Sequence, residues 1–292
     1  MTKSQHTPRI EARVFAEAIP WAQKFRDKII VIKFGGNAMI DRKLQQSFAS
    51  DIIWLHTFGI HPVIVHGGGP QITQMLATLN IETRFIDGLR VTTPEVLEVA
   101  RMVLFGKIGR ELVGDINRHG DFAVGASGED ANTIIAKARA PAKGEMTSSL
   151  GLVGDVDHIN PAYISDLISM GKIPVVSPLG TSENSKVYNI NADSVAGALA
   201  TVLGAEKLVI LTDVKGLYDK WPDETSLISQ INTAKLRNLL PKLESGMIPK
   251  VSACLDAVES GVPEAHIIDG RVYHSTLTEI FTDNGIGTMI TP

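Results

Sequence analysis

"VIKFGGNAM", Val31–Met39, sets a lone lysine at the mouth of a short apolar run, with Gly35 and Gly36 next and a helix-like segment after them. Taken alone, Lys33 has two readings. It is a surface lysine before a turn, or one wall of an anion site, because side-chain-free amides and a helix N-terminus attract phosphate. The run before it speaks to the fold. "KIIVIK" is β-branched and apolar on both faces, the pattern of a strand buried in a parallel sheet. The pattern returns in "HPVIVHGGG", "KIPVVSPLG", "KLVILTDV" and "AHIIDGR", each bounded by turn residues.

Helical patterns lie between these runs. In "DRKLQQSFASDIIWLHTFG", Leu44, Phe48, Ile52 and Leu55 recur at helical spacing. "TPEVLEVARMVLFGKIGRELVGDIN" opens with Thr93 as N-cap and Pro94 at the first helical position, and "NADSVAGALATVLGA" runs to a glycine. Alternating strands and helices predict an α/β fold with a mainly parallel sheet covered on both faces. Two polar stretches interrupt it. Ala138–Gly151, "ARAPAKGEMTSSLG", reads as a loop or hairpin, and "GTSENSKVYN" from Gly180 is a candidate boundary between two lobes. Ahead of the first strand, Ile10, Val14, Ala18, Trp21 and Phe25 form an apolar stripe, with Pro20 predicted to kink or break the helix. That helix packs on its own domain or serves as an oligomerisation arm.

Composition narrows the function. The chain has 292 residues, 44% hydrophobic and 21% charged, with a net charge of -4, so no dominant basic field exists to neutralise a nucleic-acid backbone. The single cysteine, Cys254, excludes an internal disulfide and suits a reducing compartment; its helical, apolar setting reads as a buried structural thiol. The N-terminus lacks a secretory h-region, and no window reaches the ~18 apolar residues of a membrane helix. A soluble cytoplasmic protein is expected.

The glycine-bearing strand ends carry the chemistry. "VIVHGGGPQI" puts Gly67, Gly68 and Gly69 between a strand and a helix, leaving amides open at the positive end of the helix dipole. His66 beside them reads as a packed or hydrogen-bonded residue before a catalyst. "VYNINADSVAG" sets Asn189, Asn191 and Asp193 before a helix, and "SGMIPKVSACLDAV" places Lys250 at a helix start. Walker, protein-kinase and dinucleotide fingerprints, a G-x-S-x-G elbow and zinc-type Cys/His clusters are missing from the sequence. No protein side-chain metal site is expected.

From about Lys28 to Met289 the motifs "KFGGNAM", "HGGGPQI", "GLRVT", "YNINAD", "LTDVKGLY", "GMIPK" and "AHIIDGR…GIGTM" occur in one order. In that series the chain resembles the acetylglutamate-phosphorylating branch of the amino acid kinase family. Single motifs are shared with aspartokinase, carbamate kinase or uridylate kinase; a catalytically silent protein on this fold would be expected to lack the lysines, Asp193 or the glycines. The resemblance implies a three-layer αβα sandwich with two lobes. Residues 28–180 would bind acetylglutamate and dimerise, residues 181–292 would bind ATP, and residues 1–27 would form the arm. It implies transfer of the γ-phosphoryl of ATP, with Mg²⁺ carried by the nucleotide, to the γ-carboxylate of N-acetyl-L-glutamate, releasing ADP, as the second step of arginine biosynthesis.

By position, Lys33 and Lys250 match the lysines flanking the transferred group, and Asp193 the aspartate that orients both. Gly36, Gly68 and Gly69 match glycine amides at the phosphoryl and carboxylate; Arg90, Asn189 and Asn191 match substrate contacts. Gly35, Thr212, Asp213, Gly216, Leu217, Tyr218, Gly246 and Met247 match the nucleotide side. A carboxylate acceptor is ionised at pH 7, so no general base is required. Arginine-inhibited members share a kinked N-terminal helix and an "E…GIGT" signature. This implies an L-arginine site from Trp21, Lys215, His266, Glu279 and Gly287, and a hexamer built as a trimer of dimers. One departure stands out: relatives often carry "GKDG" where this chain has "SGEDA", Ser127–Ala131, exchanging a lysine for Glu129.

Overall fold

A computed structural model of the chain describes residues 18–86, 88–140, 150–282 and 285–292. The main strands are β1 (Ile29–Phe34), β2 (His61–His66), β3 (Ala123–Ser127), β4 (Ile173–Ser177), β5 (Lys207–Thr212), β6 (Gln230–Asn232), β7 (Glu264–Asp269) and β8 (Thr288–Thr291). They form one eight-stranded sheet in the order β6-β8-β7-β5-β1-β2-β4-β3. Every pairing is parallel except that of β7 with β8. The five apolar runs are β1, β2, β4, β5 and β7, and they occupy the buried middle of the sheet.

Helices cover both faces. On one side lie α1 (Arg42–Thr57), α2 (Gly69–Thr78) and the run from Pro94 to Asn117; on the other lie α3 (Ala192–Val202) and α4 (Ile248–Glu259). Local sequence explains their ends. Asp41 caps α1 by accepting from the Lys43 and Leu44 amides, Thr93 caps the next helix through the Val96 amide, and Asn191 caps α3. The long helix predicted from Thr93 is helical throughout, but Met102–Gly109 winds as a π-helix between two α-helical parts.

Strand alternation then decides where the lysine goes. Ile30, Ile32 and Phe34 enter the core beneath α1, while Val31 enters the opposite core beneath α3 and α4. Lys33 is in phase with Val31, so it points toward α3 and α4.

Strands Ile134–Ala138, Val153–Ile159, Leu179–Thr181 and Val187–Ile190 close a small barrel beside the sheet. The first two pair antiparallel, so the polar stretch after Ala138 joins a hairpin, and residues 141–149 lie outside the described residues. The stretch from Gly180 is a hairpin of the same barrel. Residues 18–25 are helical with Pro20 inside the run; Ile10 and Val14 lie outside the described residues. In the "SGEDA" loop, Glu129 pairs with Arg101 at 2.7 Å, and Ala131 holds a left-handed φ of 50°.

Candidate active site

β1 leads through Gly35 into a single 3-10 turn, Gly36–Met39, at the C-terminal edge of the sheet. A side chain at Gly35 would strike the Lys33 ammonium, and one at Gly36, whose φ is 74°, would strike the Asp213 carboxylate at 2.5 Å. Asp213 in turn accepts the Asn37 amide at 2.7 Å. The paired glycines therefore answer to two different neighbours.

Lys33 is 6% exposed and faces Asp193, itself 3% exposed at the start of α3. The Lys33 ammonium meets Asp193 Oδ1 at 3.0 Å as an ion pair without an aligned hydrogen bond. Lys250, in the first turn of α4, meets Asp193 Oδ2 at 3.4 Å and the Gly246 carbonyl at 3.3 Å. Burial pushes the Asp193 carboxyl up, and the two ammonium groups outweigh it, so the group lies below the usual carboxylate range. Two lysines on one buried carboxylate leave one positive charge uncancelled, which suits an anionic ligand.

The turn after β2 is built differently. A side chain at Gly68 would strike Leu104 and Ile108, so packing requires that glycine, while at Gly69 nothing lies within 4 Å of the added carbon. Open space on the first residue of a helix is what a ligand-facing glycine needs. Arg90 is 8% exposed and braces this turn: Nη2 donates to the Gly69 carbonyl at 3.0 Å and Thr73 Oγ1 at 2.7 Å, and Nη1 donates to Thr83 Oγ1 at 2.8 Å. The Phe85 ring stacks on the guanidinium at 4.6 Å. Among the described residues Arg90 has no ion-pair partner, and burial pulls its pKa down. Its Nη2 is fully engaged, so a carboxylate would meet Nε–H or the second Nη1–H, not a free two-pronged fork.

Asn189 Nδ2 reaches Thr92 Oγ1 at 3.5 Å, and Thr92 Oγ1 donates to the Arg90 carbonyl at 3.0 Å, tying Asn189 to the same wall. Asn191 spends its Oδ1 on the Asp193 and Ser194 amides as the α3 cap. His66 donates Nδ1–H to the Gly67 carbonyl at 2.9 Å and accepts from Ser177 Oγ at 3.0 Å, and burial holds its pKa at about 4. It is a neutral, packed residue. Thr73, Thr83 and Phe85 are invisible to sequence reasoning, because no motif or periodicity singles them out; Thr92 closes the "GLRVT" motif, which gives it no role by itself.

Beyond the end of β5, Gly216, Leu217, Tyr218, Trp221, Leu243 and Met247 line a cleft of about 430 Å³. Thr212 ends β5, and its carbonyl accepts the Gly270 amide at 2.8 Å. Asp269 binds Arg271 through both carboxylate oxygens, another pair that sequence reasoning passed over. Among the described residues no group of three or more His, Cys, Asp or Glu side chains is placed to hold a metal ion.

A second polar cluster sits at the opposite edge of the sheet. His266 Nδ1 bonds Glu279 at 2.7 Å, and Glu279 also accepts the Ile286 amide at 2.6 Å and the Gly287 amide at 3.0 Å. Glu279 is thus buried and engaged, not a surface carboxylate. Lys207 joins His266 at 3.0 Å and lies 5.0 Å from the Phe25 ring, on which Trp21 stacks. Lys215 makes a different contact, an exposed ion pair with Glu224 at 2.7 Å.

Residues 28–269 match the Amino acid kinase family. The chain belongs to that family. It is a phosphotransferase. It is 57% identical to an acetylglutamate kinase of Nocardia farcinica over 97% of this chain and 93% of that one. Among solved structures, an N-acetylglutamate synthase from Neisseria gonorrhoeae complexed with coenzyme A and N-acetyl-glutamate superposes with a TM-score of 0.83. It shares 26% identity, and the match covers 96% of this chain and 63% of that one. The same synthase complexed with coenzyme A and L-arginine gives 0.80 at 25% identity, over 96% and 65%. No helix among the described residues is long and apolar enough to cross a membrane.

Proposed function

We propose that the protein transfers the γ-phosphoryl of ATP to the γ-carboxylate of N-acetyl-L-glutamate, giving N-acetyl-L-glutamyl 5-phosphate and ADP. The observation that carries the reading is the Lys33–Asp193–Lys250 arrangement, with Lys33 and Asp193 buried and one positive charge uncancelled. Identity with the Nocardia enzyme supports the acceptor.

Phosphoryl transfer spreads negative charge over equatorial oxygens, so positioning and charge stabilisation do most of the work. Lys33 and Lys250 approach from a strand and a helix and would flank the moving group; Asp193 keeps both ammonium groups in place. The open face of Gly69 and the remaining N–H groups of Arg90 would receive the acceptor's carboxylates, with Asn189 beside them. The cleft of Gly216, Leu217, Tyr218 and Met247, bordered by Thr212 and Gly246, would take the nucleotide. Mg²⁺ would supply charge neutralisation on the phosphates. Asp193 is committed to its lysines, Asp213 to an amide and Asp269 to Arg271, which supports an ion carried by ATP. ADP release, measured with acetylglutamate against glutamate, aspartate and carbamate, tests the assignment. It is expected with acetylglutamate alone, and equal release with any other acceptor would overturn it.

We also infer feedback inhibition by L-arginine and a cytoplasmic hexamer, a trimer of dimers joined by residues 1–27. Support comes from the proximity of Trp21 and Phe25 to the Lys207–His266–Glu279 cluster and from the arginine-bound synthase structure. A guanidinium would join the donors around Glu279 near Gly287, and Lys215 would exchange Glu224 for the ligand's carboxylate. Light scattering with arginine titration, on the full chain and on a chain lacking residues 1–26, tests this. A full-length dimer indifferent to millimolar arginine would refute it.

A further inference from the structure

The carboxylate of Asp213 stands at the end of β5, in a segment whose neighbours turn toward the nucleotide cleft. Its contacts lie elsewhere. Oδ1 accepts the Asn37 amide at 2.7 Å, joining residues 176 positions apart. The same carboxylate is flush against Gly36, where an added carbon would meet its oxygens at 2.5 and 2.9 Å and its Cγ at 2.9 Å.

Sheet register explains the meeting. β1 and β5 are parallel neighbours with Lys33 opposite Ile210, and continuing both strands by the same step arrives at Gly36 and Asp213. A carboxylate there holds the amide of Asn37, the second residue of the 3-10 turn, which fixes the direction in which the backbone leaves Lys33. Gly36 holds a φ of 74°, a conformation that glycine alone adopts without penalty, so the turn is bent sharply enough for the carboxylate to reach. On the far side of the turn, the Lys33 ammonium fills the space over Gly35. The turn thus has a lysine against one glycine and an aspartate against the next.

We propose that Asp213 is a positioning residue for phosphoryl transfer, acting through the backbone of the Gly35–Asn37 turn to hold Lys33, rather than through a contact with the nucleotide. The inference rests on the kinase reading for its effect on turnover, but its structural half stands without it.

Two variants and two measurements separate the possibilities. In the nucleotide-free protein, amide hydrogen exchange over residues 35–40 is expected to quicken about fivefold or more in Asp213→Ala, the scale of one lost hydrogen bond. It should stay near the wild-type rate in Asp213→Asn, which keeps an oxygen acceptor. In turnover with ATP and acetylglutamate, Asp213→Ala should lose roughly 10- to 100-fold in kcat, the scale for misplacing a catalytic group. The KM for ATP should move far less, and Asp213→Asn should recover most of kcat. Unchanged exchange in Asp213→Ala would overturn the proposal. So would a raised KM for ATP with kcat intact, or failure of Asp213→Asn to rescue exchange. Inactivity of the wild-type chain toward acetylglutamate would count against the kinase reading and leave the exchange result to judge Asp213.

Discussion

The turn after β1 and the turn after β2 lie on paired neighbouring strands, and both are glycine-rich, yet opposite charges brace them. After β1, an anion, Asp213, takes a backbone amide. After β2, a cation, Arg90, takes a backbone carbonyl. The first brace uses up an N–H, and the anion-attracting power of that turn resides in Lys33 and its partner Lys250. The second brace uses up a C=O and leaves the amide end of α2 open beside Gly69. Similar sequences thus support different work: one turn aims a charged side chain, and the other offers backbone.

The largest effect should come from breaking the first arrangement. Lys250→Ala, and separately Lys33→Ala, should lower kcat by about 10²–10³, the scale for losing one preorganised charge donor. Circular dichroism should report an intact fold. Near-normal turnover in either folded variant would remove that lysine from the mechanism.

The turns should also part company under acid. His66, beside the second turn, has a folded pKa of about 4 because burial disfavours its charged form. Its contribution to stability is complete above its unfolded value near 6.5 and is lost as pH falls toward 4, up to about 3 kcal/mol. Asp193, beside the first turn, is held below its unfolded value, so its contribution fades only at still lower pH. Denaturant unfolding across this range should therefore weaken first through His66, and His66→Gln should flatten the decline between pH 6.5 and 4. An unaltered decline would refute the assignment.

A smaller effect is expected from Arg90→Lys. Lysine cannot reach Thr83, Thr73 and the Gly69 carbonyl together, so the KM for acetylglutamate should rise roughly tenfold while that for ATP holds. An equal rise in both would show that Arg90 serves the fold alone. The smallest difference lies between two alanine substitutions. Gly36→Ala should cost about 1–2 kcal/mol for a left-handed alanine, besides displacing Asp213. Gly69→Ala should stay within about 0.5 kcal/mol in stability yet weaken acetylglutamate binding. Equal thermal shifts would erase the contrast.

Much of this architecture is legible in the sequence. The central strands announce themselves because both their faces are buried and apolar. β3 escaped notice because it is built of Ala, Val, Gly and Ser, with the Arg110 guanidinium occupying the space over Gly125. The barrel strands escaped because they are short and mix polar with apolar residues around a closed turn of sheet. Lys33, Asp193 and Lys250 are readable through motif order, but the residues alone leave Lys33 between a surface charge and one wall of an anion site. Their convergence depends on which face of β1 meets α3 and α4. The roles of Asp213 and Arg90 as braces follow from strand register and from a buried turn, neither of which is written locally in the chain.

Transfer to a carboxylate makes an acyl phosphate, which hydroxylamine converts to a hydroxamate. With ATP, Mg²⁺ and N-acetyl-L-glutamate, the protein should yield acetylglutamyl hydroxamate in step with ADP, and Lys250→Ala should suppress both together. ADP release without hydroxamate, or hydroxamate formed equally from glutamate or aspartate, would contradict phosphorylation of the acetylglutamate γ-carboxylate between Lys33 and Lys250.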